Sequence, residues 1–84
     1  MFWRDTPITS LRYDLPEQAY VTLTIYNLLG REVLQLVNTT QEAGFKSVQW
    51  NATDEHGKPV SGGVYLYQIQ AGKFVQTKKM VLLK

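Results

Sequence analysis

Between Val21 and Tyr26 the chain alternates strictly, with Val21, Leu23 and Ile25 on one side and Thr22, Thr24 and Tyr26 on the other. Successive side chains of an extended backbone point to opposite faces, so this pattern predicts a strand with one buried side. Ile8 to Tyr13 alternates less cleanly, setting Ile8, Ser10 and Arg12 against Thr9, Leu11 and Tyr13. It is read as a strand ended by Leu15-Pro16-Glu17, because proline cannot continue a hydrogen-bonded ladder. Further strands are expected at Glu32 to Val37, Phe45 to Trp50, Val64 to Ala71 and Phe74 to Leu83. Tyr65, Tyr67 and Ile69 share one face, with Val64 and Leu66 on the other. Two apolar faces predict a central strand, covered by a second sheet on one side and by a loop or partner on the other.

The gaps carry turn residues: Asn27 to Gly30, Asn38 to Gly44, Asn51 to Gly63, and a tight hairpin at Ala71-Gly72-Lys73. Gly30 and Gly57 are expected to supply positive φ angles. Asn38 to Gly44 is the one gap with room for a helical turn, and no segment sustains a 3.6-residue period. Six or so short strands with regular turns predict an all-β, Ig-like or fibronectin-III-like antiparallel sandwich of six to seven strands. Residues 1–6 read as a lead-in and 7–84 as a single domain. Trp50 is the expected centre of the core.

Length and composition narrow the picture further. A chain of 84 residues has room for one core. With 44% hydrophobic and 19% charged residues it has the apolar material to fold. No apolar run approaches the roughly 18 residues of a membrane span, so stable membrane insertion is not expected. Cysteine is absent, which leaves no disulfide, thiolate ligand or thiol nucleophile. The formal charge of +2 is unevenly spread. Lys58, Lys73, Lys78, Lys79 and Lys84 occupy residues 58 to 84 with no acid, while residues 1 to 57 carry four basic and seven acidic side chains. Lysines on an exposed edge strand discourage unwanted pairing, and the same residues can form a docking face.

Catalytic chemistry is sparse. His56 is the lone histidine, set in a turn beside Glu55, with no evident pairing to Ser10, Ser47 or Ser61. The acids show no arrangement that implies two carboxylates facing across a cleft. The expectation is no enzyme, no cofactor and no metal. One loop, with Asn51, Asp54 and Glu55, offers oxygen ligands for calcium, although these residues are also common turn formers. Asn38-Thr39-Thr40 and Asn51-Ala52-Thr53 fit the short N-glycosylation pattern. The modest positive charge shows no nucleic-acid module. Tyr13, Tyr20, Tyr26, Tyr65, Tyr67 and the Phe2-Trp3 pair suggest an aromatic platform for sugars, or equally core filling.

Several ordered segments carry a resemblance: Leu11-Arg12-Tyr13-Asp14-Leu15-Pro16-Glu17, then Val21 to Val33 with Ile25-Tyr26-Asn27-Leu28-Leu29-Gly30-Arg31 at its heart, then Ala43-Gly44 and Val48-Gln49-Trp50-Asn51. Gly57-Lys58-Pro59-Val60, Gly63-Val64-Tyr65-Leu66-Tyr67 and Lys79-Met80-Val81-Leu82-Leu83-Lys84 complete it. Together they resemble the type A C-terminal sorting domain of the type IX secretion system, related to the Ig-like domain of flagellar hook-capping proteins. The resemblance implies a domain of exported proteins of Bacteroidota that crosses the outer membrane with an upstream cargo to the cell surface or medium. Its implied partners are the secretion apparatus and a sortase-like peptidase. The implied recognition residues are Gly63, Val64, Tyr65, Lys78, Lys79, Met80, Val81, Leu82, Leu83 and Lys84. Two features depart from the family. Met1 to Pro7 replaces its Asn-Pro-Phe-Asn-Pro-like opening, and Ala52 stands where a glycine usually follows the tryptophan. The alternative reading is an accessory binding or spacer sandwich, either carbohydrate-binding or a structural domain of the hook-capping type.

Overall fold

The computed structural model describes residues 9–82 and contains six strands among them. They are β1 (Thr9–Leu15), β2 (Ala19–Asn27), β3 (Glu32–Gln41), β4 (Gly44–Trp50), β5 (Gly63–Ala71) and β6 (Phe74–Leu82). All strand pairings are antiparallel. A four-stranded sheet runs β3-β2-β5-β6 and a two-stranded sheet pairs β1 with β4. The result is the expected Ig-like β-sandwich, with β5 inside the larger sheet.

Alternation decides what each strand buries. Val21, Leu23 and Ile25 of β2 are sealed from solvent, and Tyr65, Ile69 and Ala71 of β5 are buried beside them. Leu11 and Leu15 of β1 and Trp50 of β4 come down on them from the smaller sheet. Trp50 is the largest fully buried side chain, and its ring meets Tyr65 edge-on at 5.4 Å and 73° across the two layers. An indole can enter a core only if its N–H finds an acceptor. Trp50 Nε1 donates to the Thr53 carbonyl at 2.8 Å, and the Tyr65 hydroxyl donates to the Ser61 carbonyl at 2.6 Å. Val64 and Leu66, on the opposite face of β5, are half-buried, and no strand among the described residues lies over them.

One expectation fails at residues 38 to 44. No helical turn forms there, because β3 continues to Gln41 and pairs Thr39, Thr40 and Gln41 with Val21, Tyr20 and Ala19. Consecutive β-branched threonines favour that extended backbone. Glu42 and Ala43 then lead directly into β4, so the chain changes sheets within two residues. The last hairpin is as tight as expected, since Ala71 pairs with Phe74 and leaves a Gly72-Lys73 loop. Gly72 has φ +60 while Lys73 is not left-handed, which is the II′ form whose twist matches paired strands. Gly30 and Gly57 have φ +83 and +78, as anticipated.

The registers also sort the loops by end. Asn27 lies beside Tyr65, Gly63 beside Leu82, and Thr9 beside Trp50. Hence the β2–β3 turn, the 51–62 loop, the start of β1 and the end of β6 share one end of the sandwich. The Pro16 turn, the β3–β4 turn and the Gly72 hairpin share the other.

Candidate functional site

The two stretches implied as recognition residues become neighbours in space. Gly63 pairs with Leu82, Val64 with Val81 and Tyr65 with Met80, while Leu66 and Tyr67 oppose Lys79 and Lys78. Leu83 and Lys84 lie outside the described residues. The alternation then divides the set. Leu82 and Tyr65 are buried and Met80 is half-buried, so these three fill the core. Burial of its phenol raises the Tyr65 pKa above the ordinary tyrosine value. Gly63 has φ +143, and a Cβ there would meet nothing within 4 Å, so glycine is needed for backbone shape and not for space. Lys78, Lys79 and Val81 are left on the surface, with Val81 59% exposed. Among the described residues β6 is an edge strand, paired with β5 alone. Its free side therefore offers backbone N–H and C=O groups to a partner.

Along the core-facing row of β6, exposure rises from Leu82 through Met80 to Lys78, Gln76 and Phe74. The cause is width. Strands lie about 4.8 Å apart, so a two-stranded sheet spans about 5 Å and cannot roof a four-stranded one about 14 Å across. A cleft of about 620 Å³ opens where the roof stops, walled by Tyr13, Phe45 and Lys46 opposite Phe74, Gln76 and Lys78. Sequence reasoning missed this feature. Its trace in the sequence is Phe74 to Lys79, where neither alternate face of β6 is consistently apolar.

The candidate calcium loop uses its oxygens internally. Asp54 Oδ1 accepts from the backbone N–H groups of His56 and Lys58, both at 2.9 Å, and Asn51 Oδ1 accepts from the Thr53 hydroxyl at 2.7 Å. The bond from Lys58 N–H, foremost among several effects, holds the Asp54 carboxyl below its ordinary pKa. Among the described residues, no group of three or more His, Cys, Asp or Glu side chains could hold a metal ion. His56 Nε2 lies 3.7 Å from Glu55 Oε1, with both side chains largely in solvent. At the β2–β3 turn, Asn27 Oδ1 accepts from Leu29 N–H and Arg31 N–H at 2.9 and 3.0 Å. That turn holds Leu28 and Leu29 outward, at 65% and 80% exposure.

Two antiparallel sheets around a Trp–Tyr core make an Ig-like sandwich, and the FlgD Ig-like domain matches residues 3–78. The chain belongs to the FlgD Ig-like domain family. Its fold is similar to FlgD from P. aeruginosa, with 26% identity, a TM-score of 0.67, and coverage of 93% of this chain and 61% of that one. It is also similar to PorZ, a surface component of the type-IX secretion system of Porphyromonas gingivalis, with 21% identity and a TM-score of 0.59. That match covers 89% of this chain and 11% of PorZ. This FlgD Ig-like domain thus spans about three fifths of one relative and a small part of the other. Comparison with curated proteins gives no match.

Proposed function

We propose that this FlgD Ig-like domain is a non-catalytic secretion and sorting module. It directs an attached upstream cargo across the outer membrane to the cell surface or medium. Its partners are the secretion apparatus and a sortase-like peptidase that acts ahead of the fold. The observation supporting this reading is the paired end of β5 and β6. Gly63-Val64-Tyr65 on β5 and Lys79-Met80-Val81-Leu82 on β6 at the sheet's edge, which resemble two separate sorting-domain motifs, lie side by side. Residues 79 to 84 lie beyond the family match, which ends at 78. The likeness to PorZ, at 21% identity, supports the fold alone.

The test is a signal peptide and fluorescent reporter fused ahead of residues 1 to 84, expressed in a type IX-competent host and in its secretion mutant. Reporter outside the cell in the competent host alone supports sorting. Periplasmic reporter in both, with the fused domain shown to be folded, overturns it. Lys78→Gln and Lys79→Gln in the same fusion then separate recognition from folding, because both side chains are exposed.

The second reading is a structural domain of the hook-capping type, favoured by the 26% identity to FlgD over 93% of this chain. The parent gene discriminates: a hook-capping protein places a short partner domain upstream, whereas a sorted cargo places a long catalytic or adhesive region there.

A further inference from the structure

We propose that the cleft between the small sheet and β6 is a docking groove for an extended acidic peptide, which completes the short sheet as an added strand. Three observations converge on that occupant. First, among the described residues β6 is unpaired on its outer side and the β1–β4 sheet has two strands, so open backbone edges border the groove. An extended chain satisfies such edges through its own main chain, a mode of recognition that sugars do not share. Second, both walls are aromatic and wet: Phe45 is 89% exposed and Phe74 53%. Covering those rings gives the added strand its apolar contacts. Third, the groove is electrostatically one-sided. Arg12, Lys46 and Lys78 line it against a single acid, Asp14. Among the described residues the one ion pair within 4 Å is His56–Glu55, so none of these three cations is matched by a carboxylate.

Lysine at a strand edge also serves to repel stray strands. That role does not account for Phe45 and Phe74, which invite the contact that lysine would deter. The β6 wall of the groove sets the occupant's pattern. Phe74, Gln76 and Lys78 alternate along one face of β6. Side chains on one face of an added strand recur every second residue, so it presents an apolar residue, a small polar residue and a carboxylate at i, i+2 and i+4. Threonines between them suit the strand's outer face.

The probe is the capped peptide Ac-Thr-Val-Thr-Ser-Thr-Glu-Thr-NH2, titrated to 2 mM into the isotope-labelled domain and followed by amide NMR shifts. The expected result is saturable shifts in β1 and β6, with affinity falling at least tenfold in Lys46→Glu and Lys78→Glu and also in Phe45→Ser. Lys58→Glu, outside the groove, is the control and leaves affinity unchanged. Replacing the peptide's glutamate by lysine, or its central serine by proline, abolishes the shifts. Three outcomes overturn the proposal: no shift at 2 mM, equal binding of the lysine peptide, or binding unaffected by the groove variants. Two others reassign the groove and overturn it as well. Dextran sulfate binding there when the peptide does not makes it a polysaccharide site, and sedimentation as a dimer dispersed by Phe45→Ser makes it a contact between copies. The native amide spectrum of each variant reports folding independently of binding.

Discussion

Replacing Trp50 by alanine removes the largest fully buried side chain of the molecule and orphans the Thr53 carbonyl it bonds. Large aromatic truncations in a core cost about 3–5 kcal/mol. A domain of 84 residues has about 4–13 kcal/mol in all. Trp50→Ala is therefore expected to leave a marginal or unfolded protein in urea titration, while Trp50→Phe, which keeps a ring but loses the hydrogen bond, costs about 1–3 kcal/mol. Ala52 is a subtler case, a buried non-glycine residue at φ +62. Left-handed backbone costs alanine about 1–2 kcal/mol. Glycine would relieve that, but it gives up a buried methyl worth about 0.8 kcal/mol and adds about 0.4–1 kcal/mol of unfolded-chain freedom. These effects nearly cancel, so Ala52→Gly is expected to shift stability by under about 0.5 kcal/mol. Ala52→Val, whose branched side chain rejects this φ and has no room, is expected to cost about 2 kcal/mol or more in the same titration. Asp54 sets an acid limit. Its pKa is lowered in the folded state, foremost by the Lys58 N–H, so its contribution is present above the unfolded carboxylate value near 3.8 and is lost as pH falls through the folded one. An Asp54→Asn variant is expected to show a flatter acid limb in melting temperature against pH, and an unchanged slope would exclude this carboxylate as the cause.

Among the elements, β6 is buried only at the Leu82 end of its core-facing row and is exposed along its other row, and substitutions should follow that division. Leu82→Ala deletes a core side chain and is expected to cost about 2–5 kcal/mol. Lys79→Gln on the opposite face should cost under about 0.5 kcal/mol by the same unfolding measurement. Deleting residues 79 to 84 would remove the partners of Gly63, Val64, Tyr65 and Leu66, so lost export after that deletion reports unfolding as readily as lost recognition. Strands were legible in the sequence wherever one face was covered. Val21 to Tyr26, Phe45 to Trp50 and Val64 to Ala71 all appear within one or two residues of their positions in the fold. The far end of β3 was not, because Asn38-Thr39-Thr40-Gln41 is polar on both faces and its extension comes from pairing with β2, a tertiary fact. Nor was the groove, since Phe45 reads as an ordinary strand residue until the narrowness of the smaller sheet leaves it 89% exposed. The candidate recognition residues were nameable from the motifs, but their division into core and surface required the register. A valine at Gly72 would oppose the II′ turn that sets that register, and Gly72→Val is expected to lower the melting temperature by several degrees.

At the scale of the molecule, the start of β1, the end of β6 and the projecting Leu28-Leu29 turn gather at one end. The groove instead runs beside the middle and far half of β6, toward Phe74. An attached chain at the first end therefore need not obstruct an added strand in the groove, and the secretion assay and the peptide titration can succeed or fail independently. The place of β5 between β2 and β6 has a consequence in time. A chain emerging in order offers β1 through β4 first, yet Leu23 must wait for Ile69 and Val21 for Ala71 before the larger sheet has a centre. Contacts so distant in sequence form slowly, because closing the loop costs entropy before any pairing rewards it. The nascent domain thus holds its apolar β2 face open until almost the whole chain has appeared, and then the β5–β6 hairpin completes it as a single late event. A chain stopped at Gly62 should show no protected amides in hydrogen exchange, and the full chain should gain its protection all at once.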